Sequence, residues 1–437
     1  MTEDPRRILA DAPMRRMQYL VIALCVVLNA LDGFDVLAIS FASPGIAAEW
    51  GIDRAALGVV LSVELIGMAA GSVLIGGLAD RAGRRPTTLG CLLVMTTGMA
   101  LATTANTVWA LSLWRLFTGF GIGGMLVCTS AIVAEFANDR SRNLAVAIMA
   151  AGYPAGAIVG GSIASLLLAS GGWRDVFLFG AGATALFLPV AWFLLPESVG
   201  FLLQNRATYG LDRVNAVLGR LRHGAIARLP SSDGHPPRPN FRLLFAPRLA
   251  RTTILLTIAY FAHIMTFYFI LKWIPKIVVD MGHAPATAGQ VLVWANVGGL
   301  AGALLLSLLS WRIAGRTLAI TVMLLSVFAV ILFGRGQDDL GHLALVGALT
   351  GFCTNAGVVA LYALIAQAFP TAVRGSGTGF VVGVGRGGAA LGPVLAGYLF
   401  NLDFGLQVVA VVMASGSLLA ATALLFVRQP ARDQPVR

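Results

Sequence analysis

The chain has 437 residues, of which 57% are hydrophobic and only 12% charged, with a mean hydropathy of +0.82. A water-soluble globular protein carries roughly 25% charged residues, so that class is excluded, and the length suits about a dozen spans of ~20 residues joined by short loops. The formal charge of +11 gives no ground for a nucleic-acid partner, because the basic residues gather in alternate short loops, as the positive-inside rule requires of a membrane protein.

Taken in chain order, Arg6, Arg7, Arg15 and Arg16 precede an apolar run too long for a signal-peptide core. Residues 1–17 therefore read as a cytoplasmic segment and the run as an uncleaved first span. Apolar runs over 18–42, 55–79, 87–106, 109–135, 144–169 and 174–195 predict a six-helix bundle, residues 18–196. Residues 197–251 hold nine Arg against three acids and include PSSDGHPPRPN, which marks a cytoplasmic linker with one short amphipathic helix near 207–222. Runs over 252–278, 286–310, 317–334, 342–369, 375–400 and 405–427 predict a second six-helix bundle, residues 252–427, followed by a cytoplasmic tail, 428–437. The expected fold is all-α, with twelve transmembrane helices in two parallel bundles and both termini cytoplasmic. Cys25, Cys91, Cys128 and Cys353 all fall in apolar runs without paired spacing, so they read as small core residues.

An internal repeat supports the two-bundle reading. A shift of 232 residues takes Gly83-Arg84 onto Gly315-Arg316, Arg142 onto Arg374, and Gly156 and Gly160 onto Gly388 and Gly392. Parallel repeats of this kind place a transported ligand near the membrane midplane, between the halves.

Ionisable residues at membrane depth are costly and mark functional sites. Asp32 and Asp35, in LNALDGFDVLAIS, are three residues apart and share one helix face. Arg115 lies ~10 Å below the outer surface at 1.5 Å per residue, a depth similar to Asp35, and Glu64 falls within a turn or two of that level. These four residues read as a coupled charge cluster for proton uptake and release. The simpler alternative is a fixed Arg115–Asp35 pair, which leaves at least one acid over.

Arg386 sits midway along the eleventh span among Gly383, Gly385, Gly387 and Gly388, and its first-half equivalent is Pro154. It is suited to hold a carboxylate bidentately; pairing with Asp32 is the alternative. His263, in the seventh span, is a ligand contact, a proton relay or a bonded core residue. Trp294 and Tyr362 offer an aromatic wall, as do Tyr260, Phe267 and Phe352, and Asn296 and Asn355 offer hydrogen bonds to a ring hydroxyl. Asn296 is the repeat equivalent of Glu64. Lys272 and Lys276, at the outer end of the seventh span, either snorkel to the interface or draw anions to the mouth.

In GGLADRAGRRP, residues 76–86, Asp80 can accept from a neighbouring helix N-terminus and Arg84 can pair with Glu135. This stretch resembles the loop signature of the major facilitator superfamily. RLFTGFGIGG, PES at 196–198 and FPTAVRGSGTG agree with it, and the resemblance covers essentially the whole chain. It implies the major facilitator fold, with Asp80, Arg84, Glu135 and Arg374 as gating residues. In the second-half loop SWRIAGR the equivalent of Asp80 is Arg312, so that latch is expected to be weaker or differently bonded.

LDGFD together with GVGRGGAALGP resembles the aromatic acid:proton symporter family. That resemblance implies inward transport of a benzoate-type or hydroxyaryl carboxylate with a proton. It assigns Asp32 and Asp35 to transport, with Arg115 and Arg386 as the family's membrane arginines; Glu64 lies outside the family pattern. A proton-coupled drug or organic-anion exporter of the same fold is the rival reading. No nucleotide loop, metal-ligand cluster or haem site is present in the sequence, so an enzyme is not expected, nor a cofactor or metal. The expected partners are the aromatic acid, protons and the lipid bilayer of a cell inner membrane, with the chain acting as a monomer.

Overall fold

A computed structural model describes residues 4–204, 206–230, 241–247, 249–336, 339–370 and 373–427. Its helices are α1 (Pro5–Asp11), α2 (Arg16–Trp50), α3 (Arg54–Ala82), α4 (Arg84–Ala102), α5 (Val108–Phe136), α6 (Arg142–Ser170), α7 (Trp173–Leu194), α8 (Val199–Gln204) and α9 (Arg206–Arg220). A 3₁₀ turn (Phe241–Phe245) leads into α10 (Ala250–Asp280), α11 (Pro285–Leu309), α12 (Gly315–Gly334), α13 (Leu340–Ala368), α14 (Arg374–Asn401) and α15 (Leu406–Phe426).

Among the described residues, eleven helices are long and apolar enough to cross a membrane: α2, α3, α5 to α7 and α10 to α15. The expected span at 87–106 is α4, whose 19 residues open on Arg84, Arg85, Pro86, Thr87 and Thr88. The two threonine hydroxyls return to the carbonyls of Gly83 (2.6 Å) and Arg84 (2.7 Å). They thus bring no unsatisfied polar group into the apolar part of the helix.

The first span runs past its expected end at 42, through Pro44 to Trp50. A proline removes one helical hydrogen bond, but a break in hydrocarbon exposes more backbone than that. The short α1 was not expected. Its start is written in the chain, with the Asp4 carboxylate accepting from Arg6 N and Pro5 in the first turn. The linker folds as α8 and α9 where one helix was anticipated; residues 231–240 and the tail 428–437 lie outside the described residues.

Two compact units result: Met1–Ala42 with Val63–His235, and Ser43–Ser62 with Pro236–Arg437. Six spans, α2 to α7, belong in the main to the first, and α10 to α15 to the second. The end of α2 and the start of α3 pack with the second unit.

Lipid tails are as apolar as leucine, so close backbone approach at small residues holds membrane helices together. The repeat is visible in these seams. A Cβ on Gly156 of α6 would overlap the Ala30 carbonyl of α2, and one on its equivalent Gly388 of α14 would overlap the Phe261 carbonyl of α10. Gly119 of α5 likewise abuts the Glu64 carbonyl of α3, and its equivalent Gly351 of α13 abuts the Ala295 carbonyl of α11. The central glycine of LDGFD serves the same purpose: Gly33 lies against the Tyr153 carbonyl of α6.

Gly156→Ala is expected to lower stability by about 1–3 kcal/mol, because the obstructing atom is backbone and cannot swing aside. Gly182→Ala, on α7 with nothing within 4 Å of the added carbon, is the neutral control. Thermal unfolding of the two variants in one detergent checks the contrast.

Candidate functional site

In the first unit a polar cluster lies wholly inside the helices. Asp32, Asp35, Glu64 and Arg115 are all buried. The Arg115 guanidinium pairs with Glu64 and donates to the Asp35 backbone carbonyl at 2.6 Å and to Met99 Sδ at 2.8 Å. Its carbon lies 5.3 Å from the centre of the Phe177 ring. Sequence reasoning set Arg115 beside Asp35. The structure brings the two together, but through the main chain, and gives the ion pair to Glu64.

The two aspartyl side chains are the remainder. All four of their carboxyl oxygens are buried with no hydrogen-bond partner among the described residues. A Cβ on Gly180 of α7 would lie 3.1 Å from Asp35 Oδ1, so the glycine leaves that carboxyl its room. A buried carboxylate with no partner is a costly ion, and a bound proton removes the charge. The guanidinium forms its ion pair with one of the three acids, and the other two carboxyls have no ion pair among the described residues.

The second unit holds the other candidates. Arg386 is half-buried on α14, and its Nη1 is buried without a partner among the described residues. The Tyr260 hydroxyl on α10 donates to Tyr362 on α13 at 3.0 Å, and the Arg386 charge reaches the Tyr260 phenol. Asn355 Nδ2 donates to the Gly299 carbonyl at 2.8 Å and Asn296 Nδ2 to the Leu292 carbonyl at 2.9 Å, which leaves their side-chain oxygens for other partners.

No hydrogen bond among the described residues joins His263 or Trp294 to these side chains. His263 is fully buried, with Nε2 facing the Thr354 carbonyl at 2.8 Å and Nδ1 facing the Ser417 hydroxyl at 2.9 Å. A carbonyl only accepts, so Nε2 carries the hydrogen and Nδ1 accepts from the serine. Both nitrogens are used by the protein, which is the core-residue alternative. Trp294, 53% exposed, shares an outward stripe of α11 with Leu304, Leu305 and Leu308, away from the buried face that carries Asn296.

At the α3–α4 loop, Arg84 pairs with Asp80 at 3.0 Å and approaches Glu135 at 3.5 Å. Glu135 accepts from Ser198. Sequence reasoning noted PES but not the role of Glu197. This carboxylate accepts from the backbone N–H groups of Arg84 (2.9 Å), Arg85 (3.3 Å) and Ser198 (2.8 Å), and so closes the N-terminus of α4. Burial pushes its pKa up, against the pull of those hydrogen bonds. In the second unit Arg316, the repeat equivalent of Arg84, donates instead to the carbonyls of Leu424 (2.9 Å) and Leu425, and among the described residues Arg374 donates only to the Phe369 carbonyl at 3.4 Å. The repeat equivalents of Asp80 and Glu135 are Arg312 and Gln367, and helix-end carbonyls stand where the first half offers carboxylates.

A further cluster was not anticipated. Asp280, at the end of α10, takes Lys276 from its own helix and Arg54 from the start of α3 at 3.1 Å. Arg54 lies 5.6 Å from the Phe400 ring centre, and Trp273 Nε1 donates to the Pro393 carbonyl at 3.1 Å. Lys272, expected to snorkel, is fully buried.

Helices that cross a membrane, in two repeats, with charged groups sealed inside them, define a multi-pass membrane transporter. A model of the Major Facilitator Superfamily matches residues 23–333 and 256–437. A gallate transporter of Pseudomonas putida is 30% identical over 427 residues, covering 95% of this chain and 93% of the relative. A 4-hydroxybenzoate transporter of the same organism is 30% identical over 430 residues, covering 97% and 95%. A solved xylose transporter from E. coli superposes with a TM-score of 0.72 at 16% identity, covering 96% of this chain and 99% of the other. The chain belongs to the Major Facilitator Superfamily, and a gallate and a 4-hydroxybenzoate transporter are among its relatives; it is not an enzyme.

Replacing Glu64 with Gln leaves the Arg115 charge buried without its counter-ion and is expected to cost about 3–5 kcal/mol. Glu64→Gln combined with Arg115→Met removes both charges and should recover most of the loss. Denaturant unfolding of the single and double variants measures the difference.

Proposed function

We propose that this chain is a proton-coupled symporter that imports a small aromatic carboxylate, such as benzoate, a hydroxybenzoate or a related aryl acid, by alternating access. The observation that carries the reading is the unpartnered, buried Nη1 of Arg386. A guanidinium nitrogen at membrane depth needs an acceptor, and a carboxylate matches its geometry. The names of the gallate and 4-hydroxybenzoate relatives supply the aromatic ring.

Asp32 and Asp35 carry the proton in this reading. Neither reaches solvent in the conformation described, so protonation belongs to a state in which α2 opens toward the outside. Glu64 and Arg115 act as the fixed pair beside them. Asn355 and Asn296 contribute side-chain oxygens for a ring hydroxyl. The Asp80–Arg84–Glu135 cluster latches the inner end, with Arg374 its less strongly bonded counterpart in the second half, and the Asp280 cluster latches the outer end. The alternation of basic loops supports a cell inner membrane location with both termini cytoplasmic. Both six-span repeats lie in one chain, so one copy is the working unit.

Proteoliposomes with an inward proton gradient test the reading. Labelled 4-hydroxybenzoate is expected to accumulate, and a protonophore to abolish the accumulation. Asp32→Asn is expected to permit equilibration but no concentration; acid-driven accumulation in that variant would remove the coupling role. Arg386→Ala is expected to weaken binding by about 1.5–3 kcal/mol, the worth of a charged hydrogen bond. An unchanged affinity moves the anion site elsewhere, and efflux in place of uptake favours an exporter.

A further inference from the structure

We propose that the Tyr362 hydroxyl is a second, neutral donor to the substrate carboxylate beside Arg386, and that Tyr260 is the positioning residue that aims it. The inference rests on the reading of Arg386 as the anion site and adds what sets its preference for an acid.

Two phenols hydrogen-bonded to each other hold two protons but use only one of them. Tyr260 is 2% exposed and gives its proton to Tyr362 at 3.0 Å, with the rings edge to face at 5.6 Å. The second proton remains on Tyr362, which is 42% exposed and has no acceptor of its own among the described residues. Accepting from Tyr260 occupies one lone pair of the Tyr362 oxygen, so its remaining O–H has a restricted direction.

The position of Tyr260 is in turn set by α14. A Cβ on Gly385 would overlap the Tyr260 ring, so only glycine there admits it. The next residue is Arg386, whose unpartnered Nη1 is the other free donor. The two free donors are therefore tied to one phenol: Tyr362 by a hydrogen bond, Arg386 by the residue that receives the ring. The groups that act electrostatically on Tyr260 are Tyr362, Arg386 and Tyr268, and no acid is among them. Both donors neighbour Tyr260, and no acceptor for either is found among the described residues. A carboxylate supplies one oxygen for the guanidinium and one for the phenol, and a neutral amide cannot replace it because its nitrogen accepts nothing.

Calorimetric titration of the purified full chain with benzoate, 4-hydroxybenzoate and benzamide tests this. Phenylalanine keeps ring volume at both positions. Tyr362→Phe is expected to weaken benzoate and 4-hydroxybenzoate by the same factor, roughly tenfold or more for a hydrogen bond to a charged group, and to leave benzamide weak and unchanged. Tyr260→Phe is expected to weaken both acids by a smaller factor, and to add nothing when Tyr362 is already Phe, as a residue acting only through its partner must. Unchanged benzoate affinity in Tyr362→Phe, a loss confined to the hydroxylated acid, or additive losses in the double variant would each overturn the assignment. If the wild-type chain binds neither acid, the symporter reading itself fails, and that result is distinct from all three.

Discussion

A guanidinium can stay inside a membrane bundle only if something answers its charge, and at Arg115 that is Glu64. Much of the first unit is arranged around this pair. It draws α3 and α5 together where Gly119 already brings their backbones into contact, and it takes the Asp35 carbonyl as a further acceptor, which ties in α2. It also bears on the aspartyl side chains. With the Arg115 cation paired to Glu64, the Asp32 and Asp35 carboxyls are left without a hydrogen-bond partner among the described residues.

The second unit complements this. Its repeat equivalent of Glu64 is Asn296, and a cation appears instead on α14, where the first half has Pro154. In the proposed symport, the acids of the first unit would serve the proton and the Arg386 guanidinium of the second would serve the carboxylate, so the two species would use chemically different groups. Coupling then requires no direct contact between proton and cargo. It requires only that each makes one conformation cheaper than the other.

The span pattern, the pairing of repeats and the shared face of Asp32 and Asp35 were legible because they depend on periodicity and local spacing. Partners from distant helices were not. Nothing local indicates that Asp280 meets Arg54, 226 residues away, or that His263 is closed off by Thr354 and Ser417 from two other helices. Depth counting placed Arg115, Glu64 and Asp35 at one level but could not say which acid takes the pair, since that depends on side-chain direction. Lys272 was misread for a related reason: the outer end of a helix was taken to be wet. Two local signals were available and went unused: Asp4-Pro5 as a helix start and Glu197 within PES as a carboxylate able to close a helix N-terminus. The first span runs past the end of its apolar run at 42 because a proline is tolerated within a membrane helix, where a break would expose more backbone.

The seams at Gly156 and Gly388, and at Gly119 and Gly351, record an older event. They occupy matching places in two halves whose chemistry has since parted: an acid in one is an amide in the other, and a proline in one is a base in the other. This is the mark of a duplicated ancestor in which the joints were inherited unchanged while residues a turn away took up new duties. Comparing the halves therefore separates, within one molecule, the parts a six-helix unit needs in order to exist from the parts that were free to become a transporter.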